Sequence, residues 1–213
     1  MGFNSDAIKN LAIAGHVATG KTTLVEQLLF YGGSIPKPET VESGKTVSDY
    51  TDEEISKQIS IHTTLSHIEW DNFKINLLDS PGSSDFAGEV VSALRAAEAG
   101  IVLVDATSGV QIETIKIWRR LDNRNMPRIV FINKMDKERA SFSKTLEDLQ
   151  DKFDATFVPI CTPLGEGPDY SGLLNFLENK AYNLPEKGKK ETGTAISDDQ
   201  QATVEENVMS LIE

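Results

Sequence analysis

The eight residues from Gly15 to Thr22 read GHVATGKT, with two glycines separated by four residues and followed by lysine and threonine. An apolar run, Ile8 to Ala14, precedes this pattern, and helical spacing of apolar residues begins at Lys21. In such a loop the backbone N–H groups bind phosphate oxygens, the lysine reaches the outer phosphates and the threonine hydroxyl binds Mg²⁺. The segment therefore predicts a nucleoside-phosphate site made of Gly15, His16, Val17, Ala18, Thr19, Gly20, Lys21, Thr22 and Thr23.

A second motif, Asn133-Lys134-Met135-Asp136, indicates which base is bound. It follows the apolar run Arg128 to Ile132, at the carboxyl edge of a sheet where ligands bind in open α/β folds. The Asp136 carboxylate can accept two hydrogen bonds from guanine, whereas adenine offers no matching pair of donors. Asn133 can bond the base and tie the loop back, and the stem of Lys134 can cover the ring. We therefore predict a guanine nucleotide, GTP or GDP.

The third motif is Asp79-Ser80-Pro81-Gly82, followed by Ser83. Its D-x-x-G spacing occurs about once by chance in a chain of this length, so its position decides between a phosphate sensor and an acidic turn. The motif ends an apolar run and lies between the other two motifs. There Asp79 can hold Mg²⁺ through water, and the Gly82 N–H can bond the γ-phosphate. We assign all five residues to the nucleotide site.

Together with Thr46-Val47-Ser48-Asp49-Tyr50, the three motifs resemble the GTP-binding domain of translational GTPases, in particular bacterial elongation factor G and its divergent paralogues. The resemblance covers the whole chain, including the start of an insert that this factor carries within its GTPase domain. It implies an N-terminal fragment of a longer protein, GTP or GDP and Mg²⁺ as ligands, GTP hydrolysis as the activity and the ribosome as partner.

Three positions depart from the family pattern. Ser60 replaces the threonine that senses Mg²⁺ and the γ-phosphate, Ala18 replaces an aspartate of the phosphate loop, and Ser83 replaces the histidine that positions the attacking water. The resemblance thus implies a metal site of Thr22, Ser60 and Asp79 and a catalytic group of Lys21, Gly82 and Ser83. Because serine is too short to act as that histidine does, we expect slow hydrolysis by the isolated domain.

The family's last guanine-contact motif has no counterpart in a suitable place. Ser92-Ala93-Leu94 has the matching residue types, but it precedes Asn133 and lies inside a predicted helix, where core packing explains it. The expected loop is missing from the sequence.

Short apolar runs alternate with helical patterns, which predicts an α/β fold. The runs are Ile8 to Ala14, Ile75 to Leu78, Ile101 to Val104 and Arg128 to Ile132, and the helical patterns are Lys21 to Phe30, Asp85 to Glu98, Gln111 to Asn123 and Ser141 to Phe153. Thr63 to Trp70 and Phe73 to Asp79, joined by Asp71-Asn72, predict a hairpin. The fold class is a P-loop GTPase domain with a mainly parallel sheet, an antiparallel hairpin strand and helices on both faces.

Two regions break this alternation. Tyr31 to Gln58 is polar without apolar periodicity, as in a functional or disordered loop. After residue 158 turn residues dominate, and we predict a GTP-binding domain over 1–158 and part of an inserted subdomain over 159–213. Within the latter, Leu173 to Tyr182 and Val204 to Ile212 predict helices, with a polar segment from Pro185 to Gln201.

Composition narrows the possible settings. The net charge of -12 argues against a basic face for nucleic acid, so we expect no sequence-specific DNA binding. A single cysteine, Cys161, allows no internal disulfide, and no apolar run approaches the roughly 20 residues of a membrane span. We expect a cytoplasmic monomer that does not engage membranes.

Two other functions remain open. A P-loop kinase acting on a small molecule shares the first motif, but Asn133 to Asp136 argues against it. A guanine-nucleotide switch that does not hydrolyse GTP, or a ribosome-protection or regulatory module, is compatible with Ala18, Ser60 and Ser83.

Overall fold

The computed structural model describes residues 2–185, 192–197, 201 and 204–205. Contacts divide the chain into two units, the first comprising Met1–Val104 and Gln111–Asn133 and the second comprising Asp105–Val110 and Lys134–Glu213. The domain boundary expected after residue 158 stays a prediction. No helix in the described ranges combines the length and the apolar character needed to cross a membrane.

A five-stranded sheet forms the centre of the first unit, in the order β2-β3-β1-β4-β5. The strands are β1 (Ile8–Gly15), β2 (Thr64–Trp70), β3 (Phe73–Asp79), β4 (Ala99–Asp105) and β5 (Arg128–Asn133). Strand β1 is parallel to β3 and β4, and β2 is antiparallel to β3. Asp71 and Asn72, which join β2 to β3, both have positive φ, as a two-residue hairpin turn requires. The predicted sheet and hairpin are confirmed.

Helices cover both faces of this sheet, as the sequence predicted. They are α1 (Lys21–Tyr31), α3 (Ala87–Ala96) and α4 (Ile112–Asp122). On one face Ala12 and Ala14 of β1 pack with residues of α3 and α4, and on the other Ile13 packs with residues of α1. The alternation arises because successive side chains of a strand point to opposite faces. Ala93 and Leu94 are buried within α3, as expected from the sequence.

The polar stretch between α1 and β2 contains a helix that the sequence analysis missed, α2 (Asp52–Lys57). It has only six residues, too few for apolar periodicity to appear. Its start is fixed by a capping box, in which the Thr51 hydroxyl accepts from the Glu54 N–H and the Glu54 carboxylate accepts from the Thr51 N–H. The T-x-x-E spacing was the available signal.

The second unit contains the predicted helix α5 (Phe142–Lys152) and an antiparallel sheet in the order β6-β7-β8-β9. Its strands are β6 (Cys161–Leu164), β7 (Gly172–Asn175), β8 (Lys180–Asn183) and β9 (Thr194–Ala195).

The helix predicted over Leu173 to Tyr182 is wrong, because β7, a turn and β8 occupy these residues. The Asn175 side chain accepts from the N–H groups of Leu177 and Glu178, and Asn179 has a positive φ, so the chain reverses here. Apolar residues spaced for a helix instead pack into a small core from β7, the turn and β8, where Leu174, Phe176 and Ala181 are buried. Beyond Val204 and Glu205, the helix predicted to Ile212 lies outside the described residues, as does most of the polar segment before it.

Candidate functional site

The phosphate loop connects β1 to α1. Its turn needs glycine at Gly20, where φ is 95° and a Cβ would collide with the Asn133 side chain. Inside the loop the His16 carbonyl accepts hydrogen bonds from the Thr19 hydroxyl and from the Lys21 ammonium, each 2.9 Å long. At Gly15 a Cβ would lie 2.6 Å from the Leu103 carbonyl oxygen. The loop is therefore packed closely enough to fix its backbone.

The other residues predicted to form the phosphate loop differ in their exposure to solvent. Val17, Ala18 and Thr23 are exposed, and Ala18 has a φ of 60°, an uncommon conformation for a residue with a Cβ. Thr19 and Thr22 are buried.

Lys21, the first residue of α1, is 6% exposed. Burial lowers the pKa of its ammonium to about 8, although the nearby carboxylates of Asp79 and Asp49 oppose that shift. A lysine charge held away from water at the start of a helix is a strong anion-binding group, because little solvent screens it.

Asp79 ends β3 and is 1% exposed. Neither carboxylate oxygen receives a hydrogen bond of good geometry from the described residues. Burial raises the pKa of Asp79 to about 6, although the hydroxyls of Ser48 and Thr22 lie near enough, with the Lys21 charge, to oppose that rise. Buried carboxylate oxygens without partners are unusual, and a hydrated cation would satisfy them.

The Thr22 and Ser60 hydroxyl oxygens lie 3.2 Å apart. Ser60 comes from the segment that follows α2, and Thr22 comes from α1. The fold thus brings the predicted metal residues into one place, since the Thr22 hydroxyl also acts on Asp79. Oxygen ligands of this kind suit Mg²⁺, so the residues present fit the ion that the resemblance implies.

The residues after Asp79 lie along the phosphate loop. Ser80 is fully buried and its hydroxyl donates to the Ile13 carbonyl, at 2.7 Å, and Pro81 is buried beside it. At Gly82 a Cβ would lie 2.5 Å from the Lys21 ammonium nitrogen and 2.7 Å from the Val17 backbone nitrogen. Only glycine lets this backbone approach the loop so closely.

Ser83 is the N-cap residue that precedes the short 3-10 helix Ser84–Phe86. Its hydroxyl accepts a hydrogen bond from the Asp85 N–H, at 3.3 Å, and its side chain is partly exposed. The hydroxyl of Ser83, which stands where the family pattern has a histidine, therefore caps this 3-10 helix.

Asn133 ends β5, and its side-chain amide donates to the Thr19 carbonyl, at 2.8 Å. This bond ties the first residue of the guanine motif to the phosphate loop. Both residues lie in the first unit.

The other three residues of the motif belong to the second unit. Lys134 has a φ of 63°, and its ammonium lies 2.8 Å from the Asp105 carboxylate. Burial would raise the pKa of Asp105, but hydrogen bonds from Lys134 and Thr107 outweigh it and leave the pKa below its usual value. Met135 is buried, with its carbonyl bonded to the Gly167 N–H, and the Asp136 side chain is 56% exposed and paired with Lys137. The Asp136 carboxylate is thus accessible to a ligand.

Four buried residues of the first unit, Ser48, Asp49, Glu26 and Glu54, have no individual role predicted from the sequence. Ser48 and Asp49 lie near Asp79 and Lys21, and burial raises the pKa of Asp49 although the Ser60 hydroxyl opposes it. Glu26 of α1 accepts from the N–H groups of Val47 and Glu39, at 2.6 and 3.0 Å. Glu54 of α2 accepts from backbone N–H groups at both ends of its helix. Apart from the T-x-x-E spacing at Glu54, nothing in the local sequence marks these contacts.

Comparison with known proteins places the chain in a family. The sequence model of the protein family described as elongation factor Tu GTP binding domain matches residues 6–212. The chain is 36% identical to a mitochondrial ribosome-releasing factor 2 of Anopheles gambiae over 209 residues, covering 97% of the chain and 28% of that protein. It is 34% identical to elongation factor G 1 of Treponema denticola over 203 residues, covering 94% of the chain and 30% of that protein.

A crystal structure of a protein from Thermus thermophilus superposes with a TM-score of 0.87 and 32% identity, covering 96% of the chain and 30% of that protein. The chain thus spans less than a third of the length of these proteins. The P-loop GTPase fold and the resemblance to elongation factor G are confirmed. The chain belongs to the family of elongation factor Tu-type GTP-binding domains.

Proposed function

We propose that this domain binds GTP and GDP with Mg²⁺ and slowly hydrolyses GTP, as part of a protein that acts on the ribosome. One observation carries the proposal: the Lys21 ammonium and the Asp79 carboxylate, which has no hydrogen-bond partner among the described residues, are both buried next to the phosphate loop. Buried opposite charges without an ion pair of their own are expected where a phosphate and a cation bind.

The first unit supplies the groups for the phosphates. Backbone N–H groups of the loop and the start of α1 would bind the inner phosphates, and Lys21 would reach the outer ones. The Gly82 N–H, whose backbone lies against Lys21, would bond the γ-phosphate and so distinguish GTP from GDP.

Mg²⁺ would be held by the hydroxyls of Thr22 and Ser60 and, through water, by Asp79. When bound, the ion neutralises negative charge on the outer phosphates. Without it, Asp79 remains a buried carboxylate with a raised pKa. We therefore expect tight nucleotide binding to require the ion.

Guanine recognition is assigned to Asp136, whose exposed carboxylate would accept two hydrogen bonds from the base. The stem of Lys134, whose ammonium is held by Asp105, would lie over the ring, and the side chain of Asn133 would hold that residue on the phosphate loop. A small-molecule kinase would not need this selectivity.

Slow hydrolysis follows from Ser83. Its short hydroxyl caps a 3-10 helix and lacks both the reach and the positive charge of a histidine. Orienting the attacking water would then depend on a partner. The ribosome is the partner we propose, because the relatives include an elongation factor G and a ribosome-releasing factor. Because one of these relatives is mitochondrial, action on ribosomes does not by itself select a compartment, and the cytoplasmic location and the monomeric state stay predictions.

Calorimetry with GTP, GDP and ATP, in Mg²⁺ and in excess chelator, tests the binding proposal. We expect binding of GTP and GDP only, weakened by the chelator. Equal affinity for ATP and GTP would refute the guanine assignment.

Single-turnover GTP cleavage with and without ribosomes tests the catalytic proposal. Ser83→His should raise ribosome-stimulated cleavage at least about tenfold without changing GTP affinity, because the change affects only the transition state. The matched variant Ser84→His, one position away, should not. Rapid cleavage by the unmutated chain alone would refute the role of Ser83, and binding without any cleavage on ribosomes would favour a non-hydrolysing switch.

A further inference from the structure

Glu54, in the short helix α2, has a fully buried carboxylate that lies outside the proposed nucleotide contacts. One oxygen, Oε1, accepts from the backbone N–H groups of Ile61 and His62, at 3.0 and 3.1 Å. The other, Oε2, accepts from the N–H and the hydroxyl of Thr51, at 3.2 and 2.8 Å. The carboxylate thus joins the start of α2 to the segment that leaves it.

The segment held in this way contains Ser60. After α2 the chain reverses at Gln58, whose φ is 55°, and the Ile59 N–H donates to the Glu54 carbonyl. Ser60 therefore lies between backbone groups that Glu54 holds on both sides. Its hydroxyl lies 3.2 Å from that of Thr22. Only the Thr51 contacts are needed to cap the helix, so the contacts to Ile61 and His62 serve a separate purpose.

We propose that Glu54 is a positioning residue, which holds the Ser60 hydroxyl beside Thr22 and thereby supports the preference for GTP over GDP. The inference rests on the proposed function, because it assigns to Ser60 a contact with Mg²⁺ and the γ-phosphate. Glu54 acts only through Ser60 and touches no nucleotide.

The charge state of Glu54 suits this role. Burial alone would raise the pKa of the carboxyl, but the hydrogen bonds from Ile61, His62 and Thr51 outweigh it and keep the pKa below the usual value. All four partner groups donate, so two accepting oxygens are required. Glutamine supplies one accepting oxygen and turns an NH₂ group toward two donors, which leaves donors unpaired.

The test uses the whole chain with Glu54→Gln, and Glu53→Gln as the matched control. Glu53 is the preceding residue of the same helix and is exposed, so the control repeats the change of charge without the buried contacts. Two quantities are measured: amide hydrogen exchange at Thr51, Ile61 and His62, where one side must lose its acceptor, and the affinities for GDP and for a non-hydrolysable GTP analogue in Mg²⁺. We expect Glu54→Gln to speed the exchange and to reduce the preference for the GTP analogue roughly tenfold. Glu53→Gln should change neither.

A double-mutant cycle with Ser60→Ala separates positioning from a general structural role. In the Ser60→Ala background, Glu54→Gln should still speed the exchange but should not reduce the preference for the GTP analogue further. An equal reduction in both backgrounds, or faster exchange with an unchanged preference in the native background, would overturn the proposal.

The unmutated chain provides a test that does not depend on the variant folding. Exchange at Ile61 and His62 should be slower with the GTP analogue than with GDP, because binding at Ser60 and the contacts of Glu54 support each other. Equal exchange in the two complexes would overturn the role of Glu54 while leaving the proposed function intact. Failure of the unmutated chain to bind any guanine nucleotide would instead refute the proposed function, and the role of Glu54 with it.

Discussion

Replacing Lys21 with methionine should stabilise the nucleotide-free protein while removing its affinity for nucleotide. Burial lowers the pKa of Lys21 from 10.5 to about 8, and the side chain is 6% exposed. Since one pKa unit corresponds to about 1.4 kcal/mol, keeping this ammonium charged in the fold costs about 3 kcal/mol at neutral pH. Methionine has a similar length and no charge. The net gain should be smaller, about 1–2 kcal/mol, because the bond to the His16 carbonyl is lost, while the attraction to Asp79 is already contained in the lowered pKa.

The gain in stability from Lys21→Met should become smaller as the pH rises. Between pH 8 and 10.5 the unfolded chain keeps the Lys21 proton that the folded chain has released. The free energy of unfolding of the native sequence therefore rises with pH across this window, and that of Lys21→Met lacks this contribution. The advantage of the variant should be complete below pH 8 and decline above it, and it should be lost before pH 10.5, where the native chain no longer carries the cost of the buried charge.

Urea unfolding without nucleotide, at pH 7 and pH 10, measures the gain in stability. Calorimetry with GTP measures the loss of nucleotide affinity. Loss of the charged contact should weaken GTP binding by about 2–5 kcal/mol. Lys9→Met, at an exposed position of β1, is the matched control and should change neither quantity. The reasoning fails if Lys21→Met is no more stable than the native chain at pH 7. It also fails if the variant keeps its GTP affinity and a native circular dichroism spectrum.

Three further changes test other parts of the site. Asp136→Asn should weaken GTP binding and relax selectivity toward xanthosine nucleotides, measured by competition binding; unchanged selectivity would contradict the guanine assignment. Gly20→Ala should destabilise the fold by about 1–3 kcal/mol in urea, because φ is 95° and the new Cβ would collide with Asn133; native stability would show that the loop adapts. Glu26→Gln should leave one backbone N–H unpaired, cost about 1–3 kcal/mol and speed hydrogen exchange at Val47 or at Glu39, whereas unchanged exchange at both would argue against the contacts.

The sequence alone indicated the central sheet and its helices. Parallel strands that are covered on both faces appear in the sequence as short continuous apolar runs. The amphipathic helices between them have apolar residues spaced three and four apart, so each element can be predicted from its own residues. Strand and helix ends in the first unit differ from the predicted ones by one or two residues at most. Periodicity failed where elements are short: the six residues of α2 were missed, and the strands β7 and β8 were taken for a helix. When two four-residue strands flank a turn, the spacing of their apolar residues can match the helical period as well as the strand period.

In the candidate site, too, some residues could be predicted from the sequence and others could not. Lys21, Thr22, Asp79, Asn133 and Asp136 belong to motifs whose residues are close in sequence, because a loop after a strand must carry the groups that meet the ligand. The sequence by itself therefore predicted a guanine-nucleotide site. Only the tertiary structure decided that Ser60 meets Thr22, that Asp79 has no partner of its own among the described residues, and that Glu54 and Glu26 hold the polar segment. Those contacts form between residues far apart in the chain or in a segment without periodicity, and a buried carboxylate acquires its partners only when the backbone has folded around it.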